Sequence, residues 1–309
     1  MAKKRLKNPA DYIVPLNINR LEGRMLHVPA PSKHQREILL IYGHHAVLER
    51  WWGLVENLNE HGSVTMPDLP GFGGMDSFAT IGRQPTIDAY ADYLAAFIKL
   101  RYRRKRITIY AISFGFVVAT RMLQRYPELT TKVDLLISAV GFMHKDDFVY
   151  SPRRRRSYRL IARFFATRPV SLLIRYCFLN KAVIKTLYSQ LPNGRRRMIE
   201  VSPEEFELSM NFDALVWQTN DVRTHWLTTA EFLNLDNCRV PINLPVVHVI
   251  SREEHYFDNE IIKQHMLVVF RRYRRFTANS RAHTPPMLAD KKATSVMVPP
   301  GLRRLLSQK

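Results

Sequence analysis

The stretch Ile107-Thr108-Ile109-Tyr110-Ala111-Ile112-Ser113-Phe114-Gly115-Phe116 is apolar and rich in β-forming residues, breaks at a serine, and passes directly into a helix-forming segment. A buried strand, a sharp turn that presents a hydroxyl, then a helix is the setting a nucleophilic serine requires. The small flanking residues, Ala111 and Gly115, let strand and helix approach closely around Ser113. A serine at a strand end also serves as an ordinary helix cap, so these residues need support from the rest of the chain.

Upstream, residues 11–29 read as two short strands joined by a turn over Asn19 to Gly23. Residues 37–43 form a continuous apolar run ending in Gly43, the pattern of a strand buried on both faces. A helix over 47–60, a short strand over Ser63 to Leu69 and an amphipathic helix over Thr86 to Leu100 follow. Downstream of Ser113 come a helix to about Tyr126 and a strand at Val133 to Ala139. The alternation stops near Gly141 and resumes with a strand over Val246 to Ile250, a helix over Asn259 to Phe270, a short strand near Arg275 to Ala278 and a C-terminal helical region. Strand–helix alternation with short connections predicts an α/β fold with a mostly parallel sheet flanked by helices. The core spans 11–141 and 240–306, the helix-rich block 142–239 is an insertion, and residues 1–10 are a basic tail.

The chain has 309 residues, 46% of them hydrophobic, enough for one large domain with an insert. Two cysteines, Cys177 and Cys238, point to a reducing compartment and to neither a disulfide framework nor a multi-cysteine metal site. No metal and no cofactor is expected. The basic N-terminus lacks the apolar core of a signal peptide, and no run of apolar residues is long enough to span a bilayer. A cytoplasmic protein, with a possible place at the inner face of the membrane, is the expectation. A net charge of +20 favours polyanionic surfaces but names no partner.

An activated serine needs a histidine base, a carboxylate that orients it, and donors for the oxyanion. The late strand 246–251 runs into Arg252-Glu253-Glu254-His255-Tyr256-Phe257-Asp258, placing carboxylates at the C-terminal edge of the sheet. The next strand runs into Asn279-Ser280-Arg281-Ala282-His283, so His283 follows the carboxylates in chain order.

Four stretches make the chain resemble the α/β-hydrolase superfamily, and within it the capped serine hydrolases. Tyr42-Gly43-His44-His45 is similar to the family's His-Gly oxyanion loop, with Tyr in place of the usual His. Asp68-Leu69-Pro70-Gly71-Phe72-Gly73 looks like its Asp-x-Pro-Gly-x-Gly turn. The Ser113 pentapeptide has Ala111 where the family has Gly. Ala282-His283-Thr284-Pro285-Pro286-Met287-Leu288 is similar to its Gly-His-x-Pro-x-x-Leu loop. The resemblance implies an eight-stranded sheet with a helical cap after the sixth strand, Ser113 as nucleophile and His283 as general base. The family's Gly-x-x-Asp pattern falls on Ser251-Arg252-Glu253-Glu254 and implies Glu254 as the acid, with Glu253 and Asp258 as competitors and Asp146 and Asp147 as a second possibility. The implied oxyanion donors are the backbone N–H groups of Phe114 and His44. The side chains of His44 and His45 are read as lining the pocket entrance, and Asp68 as bracing its turn.

A serine, rather than an aspartate, at the turn implies an acyl-enzyme route on a carboxylic ester or related small acyl compound. The same residues also serve carbon–carbon or amide hydrolysis, and the departures at Ala111, Tyr42 and the Glu-Glu loop leave room for a binding protein built on this fold.

Residues 148–199 carry 13 Arg or Lys and no Asp or Glu, with apolar clusters between the basic runs Arg153–Arg156 and Arg195–Arg197. This is the pattern of a cap whose charged face meets water, and equally of a surface that associates weakly with anionic membrane lipid. Nucleic acid is a poor fit, because no recognition motif accompanies the charge.

Overall fold

The computed structural model describes residues 8–31, 36–179, 183, 184, 186, 202–280, 283–285 and 289–308. Residues 1–7 of the basic tail, Arg195 to Arg197, and Ala282, Pro286, Met287 and Leu288 of the histidine loop lie outside that set. The strands are β1 (Ile13–Ile18), β2 (Leu21–Val28), β3 (Arg36–Ile41), β4 (Gly62–Pro67), β5 (Ile107–Ile112), β6 (Val133–Ala139), β7 (Ile242–Ser251) and β8 (Phe270–Ala278). They form one sheet in the order β1-β2-β4-β3-β5-β6-β7-β8. Pairings involving β1 and β2 are antiparallel, and every pairing from β4 onward is parallel.

The helices are α1 (Trp52–Asn59), α2 (Ile87–Arg101), α3 (Phe114–Arg125), α4 (Pro152–Phe165), α5 (Arg168–Leu173), α6 (Pro203–Thr219), α7 (Val222–Phe232), α8 (Asn259–Val269), α9 (Lys291–Thr294) and α10 (Pro300–Ser307). Helices α4 to α7 all fall between β6 and β7 in the chain, and a π-helical turn, Ile174–Phe178, continues α5. Parallel strands covered on both faces need apolar residues at every position. The central strand β5 is buried along its whole length, as are Ile38 to Ile41 of β3.

Two expectations from the sequence change. The turn between β1 and β2 is only Asn19-Arg20, with φ of 52° and 65°, and β2 begins at Leu21. Positive φ at two successive residues is the tight hairpin geometry that matches strand twist, and it is usually signalled by Gly or Asn-Gly. The last strand is nine residues long rather than short. Arg271, Arg272, Arg274 and Arg275 give it a polar look, yet an edge strand with outward charges is a stable arrangement and blocks pairing with other chains.

Candidate active site

Ser113 sits at the junction of β5 and α3 with φ 48° and ψ −116°, a conformation that costs a non-glycine residue roughly 1–3 kcal/mol. The turn is held on both sides. The Ser113 N–H donates to the Ala139 carbonyl at 2.9 Å, and the Ser113 carbonyl accepts from the Phe116 N–H at 2.9 Å. Gly115 makes the turn possible, because a Cβ there would lie 2.5 Å from the Ile41 carbonyl oxygen and 2.6 Å from that of Tyr42. Ala111 is fully buried and pairs with Ile41 and Ser138 in register, so a methyl group fits at that position.

His283 reaches Ser113 from the loop after β8. Its Nε2 is 3.0 Å from Ser113 Oγ, and its Nδ1 is 2.7 Å from Glu254 Oε2. The Glu254 side chain is 3% exposed. Its second oxygen, Oε1, accepts from the N–H groups of His255 at 3.0 Å and Tyr256 at 2.9 Å, so the longer carboxylate folds back on its own chain. The two loops are laced together. Arg252 N–H donates to Ala278 carbonyl at 3.2 Å, and Ser251 Oγ to the Ser280 carbonyl at 3.1 Å. Rings of Tyr256 and Phe257 flank the imidazole at 5.5 and 5.4 Å.

Three of the four competing carboxylates are engaged elsewhere. Glu253 is exposed. Asp258 caps α8, accepting from the N–H groups of Glu260 and Ile261. Asp146 pairs with Arg155 at 2.9 Å. Asp147 is fully buried, accepts from the N–H groups of Met143 and His144, and bonds His265 at 2.5 Å. None of the four bonds His283 among the described residues, where the carboxylate that does is Glu254.

The backbone N–H of Phe114 belongs to the first turn of α3, where amides have no intrahelical acceptor and the helix dipole favours negative charge. The loop after β3 passes directly by the serine, since a Cβ on Gly43 would be 3.3 Å from Ser113 Cβ. Among the described residues no group of three or more His, Cys, Asp or Glu side chains is arranged to hold a metal ion. No helix among them is long and apolar enough to cross a membrane.

A family model for the alpha/beta hydrolase fold matches residues 38–264. The chain belongs to the α/β-hydrolase family. The matched span holds Ser113 and Glu254 and ends before His283. No curated protein sequence matches the chain. Among solved structures, a thermophilic esterase from Thermogutta terrifontis is similar at 15% identity and TM-score 0.62, covering 93% of this chain and 95% of that one. A hydrolase from Oleispira antarctica is similar at 11% identity and TM-score 0.64, covering 92% and 94%. MenH from S. aureus is similar at 13% identity and TM-score 0.63, covering 92% and 99%. At these identities the likeness is one of fold.

This α/β-hydrolase departs from the family pattern at Tyr42, and the departure has a structural role. The Tyr42 hydroxyl donates to Asp68 Oδ1 at 2.8 Å and accepts from the Leu69 N–H at 2.8 Å. Arg24 Nε donates to the other Asp68 oxygen at 2.8 Å. Asp68 therefore clamps the loop after β4 to β2 and β3, and Gly73, with φ 63°, leaves the space that its carboxylate fills.

The side chains of His44 and His45 are half-buried and packed among aromatic rings. His44 packs edge-on against Phe72, Phe114 and Phe232, and its Nε2 is 2.7 Å from Thr228 Oγ1 of α7. His45 lies against Trp217 with ring centroids 4.0 Å apart, and both histidines meet His225 at 4.6 Å. Burial pushes His44 down to about 4 and holds His45 and His225 well below the ordinary histidine range. All three rings are neutral near pH 7 and add no positive charge beside the serine. Sequence reasoning missed Trp217, His225 and Thr228, which lie about a hundred residues or more from Ser113 in the chain and carry no motif. Beyond them, Phe142, Phe148 and Phe257 stack into an apolar wall that reaches His283.

Proposed function

We propose that the protein is a serine hydrolase that cleaves a carboxylic ester or related small acyl compound through an acyl-enzyme, with Ser113 as nucleophile, His283 as general base and Glu254 as the orienting acid. The observation that carries this reading is the unbroken chain from Ser113 Oγ to His283 Nε2 at 3.0 Å and from His283 Nδ1 to Glu254 Oε2 at 2.7 Å. With the Nδ1 proton held on Glu254, Nε2 presents a lone pair to the serine hydroxyl. Ser113 Oγ attacks the carbonyl carbon while its proton passes to Nε2, and the carbonyl electron pair moves onto oxygen. The N–H groups of Phe114 and His44 serve as donors for that oxyanion. Collapse expels the alcohol, which takes the proton from Nε2. Water activated by His283 then repeats the sequence and releases the acid.

Helices α4 to α7 act as a cap over this site in our reading, supported by the contacts of His225, Thr228 and Phe232 with the His44 loop. The apolar wall of phenylalanines suits an acyl chain or ring and favours ester over strongly polar substrates. Neither Cys177 nor Cys238 is in a disulfide.

The test is labelling with a fluorophosphonate, followed by peptide mapping, alongside turnover of p-nitrophenyl esters. Label on Ser113 that disappears in Ser113→Ala, with ester turnover, supports the reading. Absence of label and turnover leaves a binding protein on a hydrolase fold. Label without ester turnover points to amide or carbon–carbon substrates for the same residues.

A further inference from the structure

Residues 148–179 of the inserted segment carry eight Arg and no Asp or Glu, and α4 and α5 turn both apolar and basic side chains outward. At 100° per residue, Leu160 and Phe164 of α4 share one face. That face points to solvent, with Leu160 66% and Phe164 61% exposed, while Arg155 and Ala162 on the opposite face are buried. The same occurs along α5 and the π-helical turn, where Leu172 and Leu173 are each 53% exposed and Tyr176 is 77% exposed. Solvent-facing apolar residues at helical spacing are the reverse of the ordinary surface-helix pattern.

The charge around these residues is of one sign. Arg156, Arg163, Arg168 and Arg175 are exposed and form no ion pair among the described residues. No Asp or Glu occurs anywhere in 148–199. We propose that the outward side of α4, α5 and the π-helical turn is a docking surface for an anionic lipid bilayer. Apolar side chains flanked by exposed arginines match the boundary between acyl chains and anionic headgroups, where each finds its own partner. A second copy of this chain is a poor occupant, because an isologous contact would oppose like arginine clusters. A nucleic acid would pair the arginines but leave the exposed leucines, Phe164 and Tyr176 without apolar contact.

The position adds a consequence. Helix α7 packs against α4 and α5 and also carries His225, Thr228 and Phe232 against the His44 loop beside Ser113. Docking would therefore bring the helices over the serine to the lipid surface. The docking surface goes beyond the catalytic proposal and does not depend on it.

Co-sedimentation with vesicles tests it, using phosphatidylcholine containing phosphatidylglycerol against phosphatidylcholine alone, at low and high salt. The wild-type chain is expected to sediment with the anionic vesicles and to be released as salt rises. An arginine near an anionic surface contributes about 5-fold in binding, so Arg156→Gln with Arg163→Gln should weaken it about 30-fold. Leu160→Ser with Phe164→Ser should weaken it comparably and at every salt concentration. All variants should keep the far-ultraviolet dichroism and the thermal unfolding midpoint of the wild type, which separates lost docking from lost folding. Equal sedimentation with both lipids, or with neither, overturns the proposal. Binding that falls in the arginine variant but not in the Leu160–Phe164 variant also overturns it, since that marks a simple polyanion site.

Discussion

Glu254→Gln is expected to lower kcat on an activated ester about 10,000-fold while leaving the fold intact. The magnitude follows from what surrounds the carboxylate. Glu254 Oε1 accepts from two backbone N–H groups, those of His255 and Tyr256, at 3.0 and 2.9 Å. In the glutamine variant the amide oxygen must take that position, because an NH2 group there would face two donors. The NH2 then points at His283 Nδ1, where Oε2 stood at 2.7 Å. A donor at that place forces Nδ1 to accept and puts the ring proton on Nε2, facing the serine. A ring in that tautomer has no lone pair for the Ser113 proton. The same inversion at the aspartate of the serine-protease triad costs about four decades in kcat, or about 5 kcal/mol of transition-state stabilisation. The assay is steady-state hydrolysis of a p-nitrophenyl ester, with the rate of fluorophosphonate labelling as a substrate-independent check and thermal unfolding as the control for folding. A variant within about ten-fold of wild type in both rates would refute the assignment of Glu254.

Gly115→Ala should lose about 3 kcal/mol or more of stability in denaturant titration, because its Cβ would sit 2.5 Å from one backbone carbonyl oxygen and 2.6 Å from another; a loss below about 1 kcal/mol would show that the α3 junction yields easily. Tyr42→Phe should cost about 2–4 kcal/mol in the same titration, since it strips a donor from the buried Asp68 and an acceptor from Leu69 N–H. A neutral result would mean that Asp68 does not clamp the turn through Tyr42. Acid should weaken the fold below neutrality through His248, which burial holds neutral down to about 3. The unfolded chain protonates this group below about 6.5, so between those values the unfolded state binds more protons and stability falls by about 1.4 kcal/mol per pH unit as pH drops. His265 works in the other sense and another window, because its hydrogen bond to Asp147 raises it and its contribution is lost only as pH rises above about 6.5. Unfolding free energies for His248→Leu should show a shallower slope between pH 6 and 4 than wild type, and an unchanged slope would remove His248 from the account.

The sequence by itself determined the sheet and the serine. Local chemistry is enough for both: an uninterrupted apolar run such as β5 has nowhere to go but the interior, and a serine between such a strand and a helix, with Gly115 two residues on, leaves the chain one way to turn. It determined the order of serine, carboxylates and histidine, because chain order is preserved however the loops close. It understated β8, since arginines at an edge read as loop, and the tight Asn19-Arg20 turn, which carries no glycine. Which of five carboxylates meets His283 was decided only by the tertiary structure. Glu253, Glu254 and Asp258 lie within six residues, and the choice rests on how one short loop curls to give Glu254 two amides and a histidine while Asp258 caps a helix. The same holds for Tyr42, whose hydroxyl has meaning only beside Asp68, and for His225 and Thr228, which reach His44 across about 180 residues of chain. Periodicity reports which face of an element is buried. It carries no information about the partner across a loop, because that depends on distances of a few ångströms fixed by every packed layer at once.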